Sequence, residues 1–99
     1  MPYKKINLVC KARINKYRSI TEKALAIAKK SIAGGKEQEA KEILMMVECY
    51  LSDSKHFEQE GHFVNAFACL NYAHGWLDAG ARIKLFLVKD SRLFTVDEQ

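Results

Sequence analysis

Proline occurs once, at Pro2, and glycine only five times in 99 residues. Nothing beyond Pro2 is barred from helix. A chain so poor in turn-formers is not an assembly of many short strands. No apolar run approaches the roughly 20 residues that span a bilayer. The opening MPYKKINLVC has charge but no apolar stretch of signal-peptide length. A cytoplasmic protein without a membrane partner is expected. No CxxC pair is present either. Cys10, Cys49 and Cys69 stand far apart among apolar neighbours. That spacing suggests three reduced, buried, hydrophobe-like thiols rather than disulfides or metal ligands.

The chemical motifs are missing as well. Ala33-Gly34-Gly35 follows no strand and lacks the lysine of a phosphate-binding loop. Ser52 and Ser54 lie in a helical pattern without a nucleophile elbow, and no cysteine has a basic residue placed to activate it. His56 and His62 bracket Gly61, with Glu58 and Glu60 between. An H-x5-H spacing across a helix end matches no standard ligand pattern. No enzymatic activity, cofactor or metal is therefore expected.

What is present is helical periodicity. Hydrophobic residues make up 48% of the chain and charged residues 28%, enough for one small core in a single domain. Cys10, Ile14, Tyr17, Thr21, Ala24 and Ala28 recur in steps of three and four and predict a first helix over about 5–32, ended by Gly34 and Gly35. Ala40, Ile43, Leu44, Val47, Tyr50, Leu51 and Phe57 predict a second over about 36–60, closed by Gly61. A third is expected over about 62–88. It is apolar nearly all round, so it should be the central element of the fold. "RLFTV" in the tail 89–99 is strand-like in composition without an obvious mate, and an extended arm is expected there. The result is an all-α, antiparallel up-down three-helix bundle.

Charge is unevenly spread. Residues 1–34 hold nine Lys or Arg and one acid, residues 35–62 three Lys and seven acids, and residues 63–99 four of each. The basic first helix carries Arg13, Lys16, Lys23 and Lys30 in one stripe, a candidate nucleic-acid face. No interleaved aromatics or reading motif accompany it. Acidic residues of the second helix offer an internal counterweight.

One narrow polar strip crosses the third helix: Asn71, His74, Asp78 and Arg82, with Gly75 beside them. Residues four apart can pair along it. A helical glycine costs about 1 kcal/mol relative to alanine and wants a reason. The strip reads either as a small-ligand or enzymatic pocket floored by Gly75, or as a tight helix seam in which Asp78 and Arg82 pin a chain end. The seam is favoured. Trp76, Phe86, Leu93 and Phe94 supply more apolar surface than two partner helices need, a candidate interface for a protein partner or a second copy.

The stretch from Tyr50 to Phe86, with "RLFTV" after it, resembles a small archaeal family catalogued as a domain of unknown function. The resemblance covers about residues 40–96 and is strongest at GWLDAGAR, Gly75 to Arg82. It implies an antiparallel three-helix bundle and draws attention to Gly75, Trp76, Asp78, Gly80 and Arg82. His62 stands where an acidic residue would be expected after the turn glycine. The resemblance implies no activity. The functional expectation is a non-enzymatic interaction or scaffold module, with nucleic-acid association through the first helix as the alternative.

Overall fold

A computed structural model of the protein describes residues 8–95. Three helices form an up-down-up bundle: α1 (Lys11–Lys29), α2 (Glu37–Gln59) and α3 (Phe63–Arg82). The described part is all-α, with no strand. α3 is the central element, packed along α2 on one side and α1 on the other. Ala66, Ala73 and Ala81 on α3 are buried with Leu70 and Leu77 against Val47 and Leu51 of α2 and Ile14, Ala24 and Ala28 of α1. Small side chains at these positions let the backbones approach closely.

α1 is shorter than its periodicity predicts. Residues 5–7 of the expected span lie outside the described residues, and 8–10 are not helical. At its other end the Ser31 hydroxyl donates to the Ile27 carbonyl at 2.8 Å, and the chain then extends so that Ile32 pairs antiparallel with Phe86. α2 begins where Glu37 accepts the Gly35 amide at 3.1 Å. It ends in a Schellman motif: the His62 amide reaches the Phe57 carbonyl at 2.8 Å and the Gly61 amide that of Glu58 at 3.0 Å. Gly61 takes the left-handed conformation this requires, φ 80°.

α3 stops at Arg82, six residues before its expected end. The stop is a second Schellman motif with lysine in the glycine position. The Leu85 amide donates to the Gly80 carbonyl at 2.8 Å and the Lys84 amide to that of Ala81 at 3.1 Å. Lys84 has φ 64°. The chain then doubles back beside the end of α1, where Leu85 and Phe86 enter the core. Backbone bonds from Ala33 to Leu85 (2.9 Å) and from Leu87 to Ser31 (2.7 Å) hold it.

The tail is no extended strand. Residues 91–93 form a turn in which the Asp90 carbonyl accepts from Leu93 and Phe94. Phe94 is buried against the bundle. The cysteines also differ from expectation: only Cys69 is buried, whereas Cys10 and Cys49 are exposed because they fall on the outward sides of their segments.

α1 and α2 meet mainly through charge. Arg18 pairs with Glu58 and donates to the buried Ser54 hydroxyl at 3.0 Å. Lys29 pairs with Glu48 at 2.6 Å, and Lys55 lies 3.8 Å from Glu22. Among the described residues no helix is long and apolar enough to cross a membrane.

Candidate functional site

α3 positions the polar strip so that it faces α1 and the tail. His74 is half-buried, with Nδ1 3.0 Å from the Thr21 hydroxyl on α1 and Nε2 2.7 Å from the Leu93 carbonyl. A carbonyl only accepts, so these partners assign the proton to Nε2, which donates to Leu93. Nδ1 shares the other hydrogen bond with the Thr21 hydroxyl, which can donate or accept. Both ring nitrogens are thus engaged within the fold. Asp78 accepts the Thr95 amide at 2.8 Å and lies 3.8 Å from His74 Nε2. The strip therefore ties α1 and the tail to α3, with Asp78 holding the tail at the Thr95 amide. It does so without Arg82, which is exposed and makes no ion pair with Asp78 among the described residues.

Gly75 corrects the seam reading. A Cβ built there meets no heavy atom within 4 Å. No helix packs on it. Gly75 and its neighbour Asn71 instead line two openings. One, of about 350 Å³, lies between α1 and α3 and is bounded by Tyr17, Ile20, His74 and Arg92. The other, of about 470 Å³, lies between α2 and α3 and is walled by Tyr50, Tyr72 and Trp76 over Ala79. Tyr50 and Tyr72 stack with ring centroids 5.4 Å apart. The close approach is at Gly80, where an added Cβ would strike the Phe86 ring.

The candidate interface needs a second correction. Phe86 and Phe94 are only 1% and 2% exposed and belong to the core, because the chain folds back over Gly80 and α3 rather than outward. Leu93 and Trp76 are half-buried against that core. On and just after α3 the large apolar side chains that face solvent are Val64 and Tyr72 in the helix and Ile83 and Leu87 beyond its end; Leu8, Ile27 and Met45 are exposed elsewhere. Val64, Ala68, Tyr72, Gly75 and Ala79 follow one another in helical steps, and all are exposed. No charged residue interrupts them before Arg82. That spacing was present in the sequence, but the all-round apolarity of α3 concealed which side was outward.

Arg13, Lys16, Lys23 and Lys30 are all exposed, and none is in an ion pair among the described residues. The Lys16 ammonium lies 5.9 Å from the Tyr17 ring centroid. Histidines 56 and 62 both approach Glu60, at 3.4 and 3.8 Å. No group of three potential metal ligands occurs among the described residues. Two titrations are displaced. Burial, then the Asp53 carboxylate, pushes the Cys69 thiol up. The Arg92 side chain, then its amide, hydrogen-bonds Asp90 and holds that carboxyl below its ordinary range.

The model of one family, described as a protein of unknown function (DUF357), matches residues 16–86. The chain belongs to this family. The DUF357 match takes in most of α1 and ends at Phe86, so it reaches further toward the N-terminus than the resemblance over 40–96 and stops before the tail. The DUF357 segment therefore includes all of α2 and α3 and the whole outward α3 line. No curated protein and no solved structure gives a significant match.

Proposed function

We propose that the protein is a non-enzymatic interaction module whose docking face is the outward side of α3. The observation that carries this reading is the uncharged line Val64–Ala68–Tyr72–Gly75–Ala79, exposed along the most buried helix of the bundle. Contiguous exposed apolar surface of this kind marks partner sites in folded proteins. The groove beside it, with two stacked tyrosines and Trp76 around Gly75 and Ala79, suits an apolar side chain from another protein's helix. Aromatic residues around a small-residue floor are the usual anchors of such contacts.

A photo-crosslinking residue at position 72 tests this in cells, with the same residue at exposed Gln38 as control. A discrete protein adduct from position 72 alone is expected. Equal labelling from both positions, or none from position 72, overturns the docking face.

A second reading rests on α1, where Arg13, Lys16, Lys23 and Lys30 form one exposed stripe with no ion pair among the described residues. Binding of nucleic acid there would weaken steeply between about 50 and 200 mM salt. Fluorescence anisotropy of a labelled structured RNA over that range tests it, and no binding at the lower salt removes it.

A further inference from the structure

We propose that the occupant of the outward α3 face is a second copy of this chain, the two meeting face to face about a two-fold axis parallel to α3. The inference rests on the docking-face reading above and adds the partner and its orientation. It follows from how charge flanks the face. α2 is reached from α1 through Arg18, Glu22 and Lys29. At 100° per residue, Lys16, Lys23 and Lys30 lie about a third of a turn from those residues, alternating in steps of three and four with Ile20 and Ile27; Tyr17 and Ile20 border the α3 face. On α2, Glu48, Lys55 and Glu58 point to α1 and Tyr50 to α3. Glu39, Glu42 and Asp53 then fall on the side that borders the same α3 face. The apolar line thus has the α1 lysines on one side, beyond Asp78 and the internally paired Asp90–Arg92 turn of the tail, and an acidic flank on the other.

Only one face-to-face two-fold arrangement matches these flanks. An axis perpendicular to the helices would set α1 against α1 and α2 against α2, base on base and acid on acid. An axis parallel to α3 sets each α1 opposite the other copy's α2. The heights agree as well. Thr21 is level with His74, so Lys16 stands near Cys69 and Lys30 near Ile83, and the Tyr17–Phe67 contact agrees to within one turn. Tyr50 stacks on Tyr72 and α2 runs antiparallel to α3, so at equal rise per residue Asp53 stands near Cys69 and Glu39 near Ile83. Lys16 of one copy therefore comes level with Asp53 of the other, and Lys30 with Glu39. Ile20 and the exposed Ile27 come level with the Tyr50–Tyr72–Trp76 groove of the opposite copy. Gly75 sits on the axis, and its missing side chain lets the two α3 helices approach.

The test is sedimentation equilibrium of the full chain, combined with a cysteine placed on the axis. Gly75→Cys in a Cys10→Ser, Cys49→Ser background is free of clashes within one chain, since a Cβ at 75 meets nothing there, and on the axis it faces only its own symmetry copy. A dimer that mild oxidation locks through residue 75 is expected. Lys16→Asp should weaken dimerisation roughly tenfold, because two symmetric contacts are reversed. Adding Asp53→Lys to the same chain should restore it. A dimer that does not lock at 75, or no rescue by the charge swap, overturns the arrangement. A monomer at about 100 µM overturns the second copy. In that case a position-72 adduct to a different protein keeps the docking face, and no adduct removes both readings.

Discussion

Two glycines five residues apart on α3 do opposite work. Gly80 is buried under the Phe86 ring, which is itself in the core and has no room to retreat. Gly80→Ala should destabilise the fold by about 1–3 kcal/mol, the range for overpacking. Within one chain Gly75 faces open space, so at concentrations where the chain is monomeric Gly75→Ala should stabilise by about 0.5–1 kcal/mol through helix propensity. Urea unfolding of the two variants would show shifts of opposite sign. Cysteine reactivity separates at the same scale. Cys10 and Cys49 are exposed, while burial and the nearby Asp53 keep the Cys69 thiol protonated to higher pH. Alkylation of the folded protein near neutral pH, followed by mass spectrometry, should modify Cys10 and Cys49 and spare Cys69. Labelling of all three at equal rates would mean that α3 opens readily.

The end of α3 is an element held by its surroundings. Lys84 sits in the left-handed conformation that glycine favours, at a cost of about 1 kcal/mol or more. What compensates is burial of Leu85 and Phe86 and the backbone bonds to Ser31 and Ala33. Lys84→Gly should therefore raise stability by about 0.5–1 kcal/mol, read as a higher urea midpoint with unchanged slope. The tail has its own local lock, Asp90 accepting from the Arg92 amide at 2.9 Å and guanidinium at 3.1 Å. Its carboxyl titrates lower in the folded chain than in the unfolded one. The stabilisation is thus fully present above the unfolded value and is lost as pH falls through the folded one. Amide-exchange protection of Leu93 and Phe94 should decline as the solution is acidified below about pH 4. Asp90→Asn should remove that pH dependence.

Across the whole molecule, α1 is tied to α2 by charge and to α3 by packing. The Arg18–Glu58 pair is the most enclosed of the cross-helix ion pairs among the described residues, its side chains 13% and 14% exposed. Among the described residues the Arg18 Nε has no hydrogen-bond partner. Glu58→Ala would leave an enclosed guanidinium with Ser54 alone and should cost about 1–3 kcal/mol, as loss of a charged hydrogen-bond partner does. The surface pairs Lys29–Glu48 and Glu22–Lys55 should each contribute under about 1 kcal/mol. Chemical denaturation of Glu58→Ala beside Glu48→Ala would separate the two classes. The same asymmetry of charge that ties the helices inside one chain leaves Lys16, Lys23 and Lys30 outside any ion pair among the described residues.

The number, order and antiparallel arrangement of the helices were legible in the residue pattern, because helical periodicity and glycine caps such as Gly61 are local. So was the central place of α3, whose apolarity on nearly every side can only be satisfied between two neighbours. The early end of α3 was not legible. Lysine at a left-handed cap carries no sequence signal, and only the burial of Phe86 over Gly80 selects it. The sites divide the same way. Spacing placed His74 and Asp78 on one strip, but Thr21, Leu93 and Thr95, which engage them, come from distant parts of the chain. Gly75 and Gly80 look alike in the sequence. Which of them meets a ring and which meets solvent depends on where the chain turns after Arg82, and only the tertiary structure decides that.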